Sequence, residues 1–254
     1  MEPMRARARR GIKRWIGRAA GVFGLHVERR AAVPFGVDWL ADLAAISETP
    51  VERVMDVGAN IGQTARALRR AFPDAEIHCF EPVPATYAIL ARATQGDARI
   101  RCENIGLSNR AGTLWMTAEP GAGTNRIVSG PENGGQISVP VESLDAYCAR
   151  QGIERVDVLK MDVEGAELGV LAGAVGTLRD RGVRFVLSEC EFRLRADEPH
   201  APFSELHAFL AAHGFVVVSF YTGGVDALGW RWGNVLYRRA GSTDANRVRV
   251  SPYA

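Results

Sequence analysis

From residue 53 to residue 213 short apolar runs alternate with longer amphipathic stretches, and this alternation constrains the fold more than any other feature. Residues 53–57, 76–80, 100–104, 156–161 and 184–188 read as strands. Between and after them run stretches of helical spacing. Ile61, Ala65, Leu68 and Phe72 share one face, Ala85–Ala93 and Leu144–Arg150 follow, Leu168, Leu171, Val175 and Leu178 stripe a helix over Ala166–Leu178, and Phe203–His213 is the last. Strand–helix alternation predicts a mostly parallel sheet covered on both faces. Phe215–Tyr221 and Asn234–Arg239 have no helix between them, which predicts a closing antiparallel edge. The expected fold is therefore α/β and Rossmann-like, with a seven-stranded mostly parallel sheet over residues 51–240. Residues 112–140, rich in Gly, Ser, Thr and Asn, read as a short hairpin with a long loop at Pro120–Gly135. A helical extension occupies residues 1–50, its second helix capped by Asp38 and running from Trp39 to Ile46, with Ser47–Pro50 as linker and 241–254 as a tail.

Charge is distributed unevenly. Residues 1–30 carry nine Lys and Arg against two acids, Glu2 and Glu28, although the whole chain has a net charge of only +2. Within this arm residues 5–25 form an amphipathic pattern: Ile12, Trp15, Ile16, Ala19 and Phe23 on one face, Arg7, Arg10, Arg14 and Arg18 opposite. Such a helix suits peripheral contact with an anionic membrane surface, or packing of its apolar stripe on the chain's own body or on a second copy in a homo-oligomer. Its apolar stretch Ala19–Leu25 is too short and glycine-broken for a secretory signal. Cys79, Cys102, Cys148 and Cys190 form no C-x-x-C pair and read as free thiols of a reducing compartment. A cytoplasmic location, peripheral to the inner face of the membrane if the arm binds there, is the expectation.

The residues that carry chemistry begin at Asp56-Val57-Gly58-Ala59-Asn60-Ile61-Gly62, where the first strand enters the first helix. In such sheets ligands bind beyond the carboxyl ends of the strands. Gly58 lets the backbone turn tightly and approach a ligand, and Gly62 permits close packing of the helix start. The helix N-terminus favours a carboxylate, and Asp56 is placed to meet an ammonium group. A dinucleotide fingerprint would need glycines at 58, 60 and 63, where this chain has Gly58, Asn60 and Gln63. The pattern is instead D-x-G-x-N-x-G, a form of the loop with which methyltransferases hold S-adenosyl-L-methionine. Glu81 ends the second strand 23 positions after Gly58, where a carboxylate can accept hydrogen bonds from both hydroxyls of a ribose. Asn104 and Gly106 end the third strand, either lining an adenine pocket or serving as turn residues.

A second group of residues is acidic. Asp162 ends the fourth strand, Glu164 sits in the turn after it, and Glu167 opens the next helix at its favourable dipole end. Glu189 and Glu191 end the fifth strand, so adjacent strands deliver carboxylates to one edge. Such a cluster is costly unless paired, protonated or metal-bound. Three readings stay open: a general base, an Mg2+ site built on Asp162 and Glu189, or carboxylates held by arginines. His200, in the loop after the fifth strand, suits abstraction of a hydroxyl proton or is an exposed loop residue. His207 and His213 read as surface-facing, and His78 as a packed strand residue. The loop Gly121–Arg126 reads as a lid or acceptor contact, or as ordinary surface.

Taken together, Asp56–Gly62, Phe80-Glu81-Pro82, Asn104–Ser108, Ser143-Leu144-Asp145 and Lys160–Gly165 resemble the FkbM-type methyltransferase family over residues 51–240. The resemblance implies a class I methyltransferase fold and methylation of a hydroxyl on a sugar, glycolipid or polyketide-type natural product. It implies that Asp56, Gly58, Asn60 and Glu81 hold S-adenosyl-L-methionine and that Asp162 borders the transferred methyl. No Asn/Asp-Pro-Pro-Tyr/Phe segment is present, which argues against nucleic acid as the acceptor. The competing function is a non-catalytic cofactor-binding adaptor at a membrane surface.

Overall fold

The computed structural model describes residues 34–130, 135–193 and 201–241. The amphipathic arm, His200 and the tail beyond 241 lie outside the described residues. The expected helix before the main domain is present as α1 (Trp39–Ile46), with the Asp38 carboxylate accepting from the Leu40 and Ala41 amides at 3.0 and 3.2 Å. The alternation then runs β1 (Arg53–Val57), α2 (Gln63–Ala71), β2 (Glu76–Phe80), α3 (Pro84–Ala93), β3 (Ile100–Glu103). After an intervening small sheet come α4 (Leu144–Gln151), β8 (Val158–Met161), α5 (Glu167–Ala172), α6 (Val175–Asp180), β9 (Phe185–Glu191), α7 (Phe203–Ala212), β10 (Phe215–Asp226) and β11 (Gly229–Arg239).

The main sheet has seven strands in the order β10-β11-β9-β8-β1-β2-β3. Neighbours from β9 through β3 are parallel, as the alternation predicts. Its strands are buried on both faces. Val54, Ile77, Val158, Phe185 and Leu236 join one apolar cluster, and Met55, Leu159, Val186 and Val235 join the other. The expected antiparallel edge is present: β11 runs antiparallel to both β9 and β10 and sits between them, leaving β10 outermost. The α7 crossover places β10 one strand position away from β9, and the tight return at Asp226–Gly229 drops β11 into the gap. Both strands also extend beyond their expected ends, so the hairpin reaches past the rest of the sheet.

Two expectations change in detail. The helix over 166–178 is broken into α5 and α6 at Gly173-Ala174. A Cβ on Gly173 would lie 2.0 Å from the Ser108 carbonyl oxygen, so this close approach replaces a helical turn. The hairpin expected over 112–140 is present, with β5 (Gly112–Thr117) and β7 (Gln136–Glu142) antiparallel around a long connection. Two short strands that were not expected, β4 (Gly106–Leu107) and β6 (Ile127–Val128), extend it to a four-stranded sheet in the order β4-β7-β5-β6. Asp145 of the Ser143-Leu144-Asp145 motif is structural, its carboxylate accepting from the Gly176 and Thr177 amides at the start of α6 at 2.8 and 2.5 Å. The cysteines are free; Cys79, Cys148 and Cys190 are buried and Cys102 partly so. Among the described residues no helix is long and apolar enough to cross a membrane.

Candidate active site

At the carboxyl end of β1 the chain turns back on itself in a left-handed sequence, with φ of 75° at Gly58, 47° at Asn60 and 85° at Gly62. The amides of Gly58 and Ala59 both donate to the Phe80 carbonyl, at 3.1 and 3.0 Å, which ties the turn to β2. A Cβ on Gly58 would stand 1.8 Å from the Asp162 carbonyl oxygen, so only glycine lets β1 and β8 close here. Asn60 is among the few residues that tolerate its conformation. Gly62 serves packing, since a Cβ there would meet Leu90 of α3 at 2.9 Å. It does not line the cavity.

Asp56 departs from expectation. It is fully buried, does not line the cavity, and its Oδ1 lies 2.9 Å from the Lys160 ammonium, its register partner on β8. Lys160 also donates to the Gly58 carbonyl at 3.0 Å and stands 3.6 Å from Asp162 Oδ2. Burial opposes its charge, but the two carboxylates outweigh burial and hold its pKa above the ordinary value. The expected contact from Asp56 to an ammonium is therefore made within the protein. The signal for Lys160 was in the sequence: a lone cation inside an apolar strand requires a buried anion beside it.

Glu81 is placed as the spacing predicts, at the carboxyl end of β2 and on the cavity wall. Its Oε2 accepts from the Asn60 amide at 3.1 Å and its Oε1 from the Val83 amide at 2.9 Å. Burial still raises its pKa. Asn60 also lines the cavity, and its Oδ1 is buried without a hydrogen-bond partner. Asn104 does not reach the cavity; its amide nitrogen donates to the Glu81 and Pro82 carbonyls at 2.9 and 3.1 Å and so fixes Glu81 from behind. Gly106 lines the cavity from β4, not from the end of β3.

The acidic residues converge. One carboxylate oxygen from each of Asp162, Glu164 and Glu189 lies within 4.8 Å of the others. Burial, then the neighbouring Asp162, to which it is hydrogen-bonded, push Glu189 up to about 9. Burial and the Asp162 and Glu167 charges raise Glu164 to about 7, against the pull of Arg126. Glu164 also has a φ of 51°, strain of the kind that collects at functional sites. Glu167 turns away to accept from the Val163 and Gly165 amides at 3.2 and 3.4 Å, holding the turn that carries Glu164. His78 is packed as expected, its Nδ1 2.7 Å from the Tyr147 hydroxyl, and burial lowers it to about 4. His207 and His213 are half-buried rather than surface-facing, stacked on Phe203 and Phe209.

One cavity of about 390 Å3 joins the two groups. Asn60, Phe80, Glu81 and Pro82 line it on the β2 side and Asp162, Glu164 and Glu189 on the β8–β9 side, with Gly58 against Asp162 where the two meet. The small sheet supplies an apolar wall of Leu114, Met116, Ile127 and Val141. Ala122, Gly123 and Asn125 also line it, so the loop 121–126 belongs to the cavity and is not ordinary surface. Trp232 and Asn234 complete the acidic side. Sequence reasoning missed Trp232, because no local pattern extended β11 that far.

The family described as the methyltransferase FkbM domain matches residues 56–217. Methyltransferase sdnD of Sordaria araneosa is 35% identical over 172 residues, covering 54% of this chain and 64% of that protein. The 2-O-methyltransferase NoeI of Sinorhizobium fredii is 31% identical, over 58% of this chain and 66% of its own length. The 31-O-demethyl-FK506 methyltransferase FkbM of Streptomyces tacrolimicus is 29% identical, over 67% of this chain and 75% of its length. The chain thus spans about two thirds of the first two relatives. The family match runs from the β1 loop across Glu81 and the acidic cluster into β10, and on that ground the chain belongs to the FkbM methyltransferase family.

Proposed function

We propose that the chain is an S-adenosyl-L-methionine-dependent O-methyltransferase acting on a hydroxyl of a small-molecule acceptor of the sugar, glycolipid or polyketide class. The observation that carries it is a cavity lined both by the Glu81 carboxylate at the end of β2 and by the acid cluster at the ends of β8 and β9. The printed activities of NoeI and FkbM, both O-methyltransferases by name, support the same reading.

The residues present fit the cofactor. Glu81 keeps lone pairs free for ribose hydroxyls, Asn60 offers an unpartnered acceptor, and Gly58 leaves the backbone bare beside Asp162. When bound, the cofactor supplies an activated methyl group, so the protein has to position the acceptor, exclude water and receive one proton. At neutral pH Glu189 retains its proton and donates it in a hydrogen bond to Asp162, while Glu164 is partly ionised. The Asp162 carboxylate takes the hydroxyl proton. Lys160 fixes Asp162 and the Gly58 turn from below.

Incubation of the protein with methyl-labelled cofactor and candidate acceptors, read by mass spectrometry, should show one methyl gained on oxygen. Methyl found only on nitrogen or on nucleic acid would overturn the assignment, and absence of any turnover would favour the adaptor. The three carboxylate oxygens are also close enough to share a cation such as Mg2+. Full activity after exhaustive EDTA treatment removes that reading.

A further inference from the structure

The hairpin β10–β11 brings Trp232 to the acidic side of the cavity in an arrangement that the methyl-transfer chemistry does not require. Trp232 lies between Glu191 on β9 and Gly224 on β10, and Asn234, two residues on and on the same face, lies opposite Glu189. The indole is bedded on two glycines. A Cβ on Gly223 would stand 2.0 Å from its Cζ3, and one on Gly224 would stand 2.4 Å from its Nε1. Neither glycine has a positive φ, so the backbone itself does not demand glycine there. What demands it is the ring, which lies across both residues and is held by them at the cavity wall. Phe192, packed on Phe220 and Trp230 at centroid distances of 5.8 and 5.6 Å, stiffens the same hairpin.

We infer that Trp232 is the platform of an acceptor subsite for the ring of a neutral pyranoside, with Asn234 addressing a hydroxyl next to the one that meets Asp162. An aromatic face backed on one side is suited to the C–H face of a sugar ring. The groups around it set the rest of the specificity. Asn234, Glu189 and Asp162 are polar groups that lose water when an acceptor enters, and each left unpaired is costly. A ring rich in hydroxyls satisfies them, whereas a largely apolar polyketide does not. Three carboxyl groups gathered within 4.8 Å of one another at that place disfavour an acceptor that brings a further carboxylate. A neutral sugar is thus favoured over both a uronate and an apolar alcohol. Only the methyl-transfer arm of the test rests on the O-methylation reading; the binding arm stands by itself.

The test uses the full chain saturated with S-adenosylhomocysteine and a panel of methyl pyranosides of neutral sugars, matched methyl hexuronosides and an acyclic polyol. Saturation-transfer NMR reads binding, and labelled cofactor reads transfer. At least one neutral pyranoside should bind through its ring protons and outcompete its uronoside. Trp232→Ala should weaken that binding by about tenfold or more, the size of an aromatic contact, without moving S-adenosylhomocysteine affinity by calorimetry. Trp232→Phe should keep most of it. Gly224→Ala, which displaces the indole and leaves it present, should resemble Trp232→Ala. Unchanged pyranoside affinity in Trp232→Ala, equal or better binding of the polyol or uronosides, or no pyranoside binding at all would overturn the subsite. Pyranoside binding without methyl gained on oxygen would count against the O-methylation reading and leave the subsite standing.

Discussion

A carboxylate that is to accept two hydroxyls must be held rigidly without its lone pairs being used up, and Glu81 meets that condition. Each oxygen takes one backbone amide, from Asn60 or Val83, and has capacity left. Glu81→Ala should weaken S-adenosylhomocysteine binding by about 1–3 kcal/mol, and NAD should give no binding heat with either protein. Calorimetry checks both, and tight NAD binding would sink the assignment. The acid cluster gives a second residue-scale expectation. As Glu164 ionises through about 7 it adds negative charge beside Asp162 and helps that carboxylate draw the hydroxyl proton, so methyl transfer should rise with pH there and Glu164→Gln should remove that limb. Asp162→Asn should lower kcat by about 10²–10⁴ if it receives the proton. Stability should move the opposite way with pH. Glu189 titrates at about 9 in the folded chain against about 4.5 when unfolded, so the folded state holds the extra proton between those values. Its contribution is greatest at the acid end of that window and is lost as pH rises towards 9. Thermal melts from pH 5 to 9 should show the decline, and Glu189→Gln, uncharged throughout, should flatten it. Asp56, Gly62 and Asn104, expected to hold the cofactor, do not line the cavity, because sequence spacing does not show which side of a turn a side chain takes.

At the scale of elements the strands and helices that carry strong periodicity form where the pattern puts them, and the departures have tertiary causes. Nothing in Leu168–Leu178 announces a break, because Gly173 has an ordinary backbone conformation and matters only through the Ser108 carbonyl pressed against it. Gly173→Ala should therefore cost about 1–3 kcal/mol through overpacking, visible as a lowered melting temperature. A variant as stable as the parent would show that α5 and α6 can separate without penalty. The two short strands that complete the small sheet around its expected hairpin escaped notice for a related reason. Strands β4 and β6 have two residues each, and β4 pairs with β7 more than thirty positions away, at Gly106↔Val141 and Leu107↔Glu142. Pairing across such a distance leaves no periodic mark on so few residues. Yet this sheet forms the apolar wall of the cavity.

At the scale of the whole molecule the open question is what the basic arm does. We propose that residues 5–25 dock on an anionic membrane surface and bring the cavity to a lipid-linked acceptor, each basic residue near the surface contributing about 1 kcal/mol. Flotation with vesicles containing anionic lipid should carry the full chain and not a chain lacking residues 1–25 that is still folded. No flotation, together with loss of folding or of a dimer on the same deletion, would show instead that the apolar stripe packs on protein.

The sequence alone determined the layered α/β architecture, the loop geometry at Gly58 and the position of Glu81 at the end of β2. Each of these is local: a period, a conformation that excludes Cβ, or a fixed distance along one strand–turn–strand path. Tertiary structure decided the rest. It paired Asp56 with Lys160 inside the protein, gathered Asp162, Glu164 and Glu189 within 4.8 Å of one another, and seated Trp232 on Gly223 and Gly224. Those outcomes depend on the order in which strands lie side by side, and strand order is set by how crossovers pack, which no single segment records.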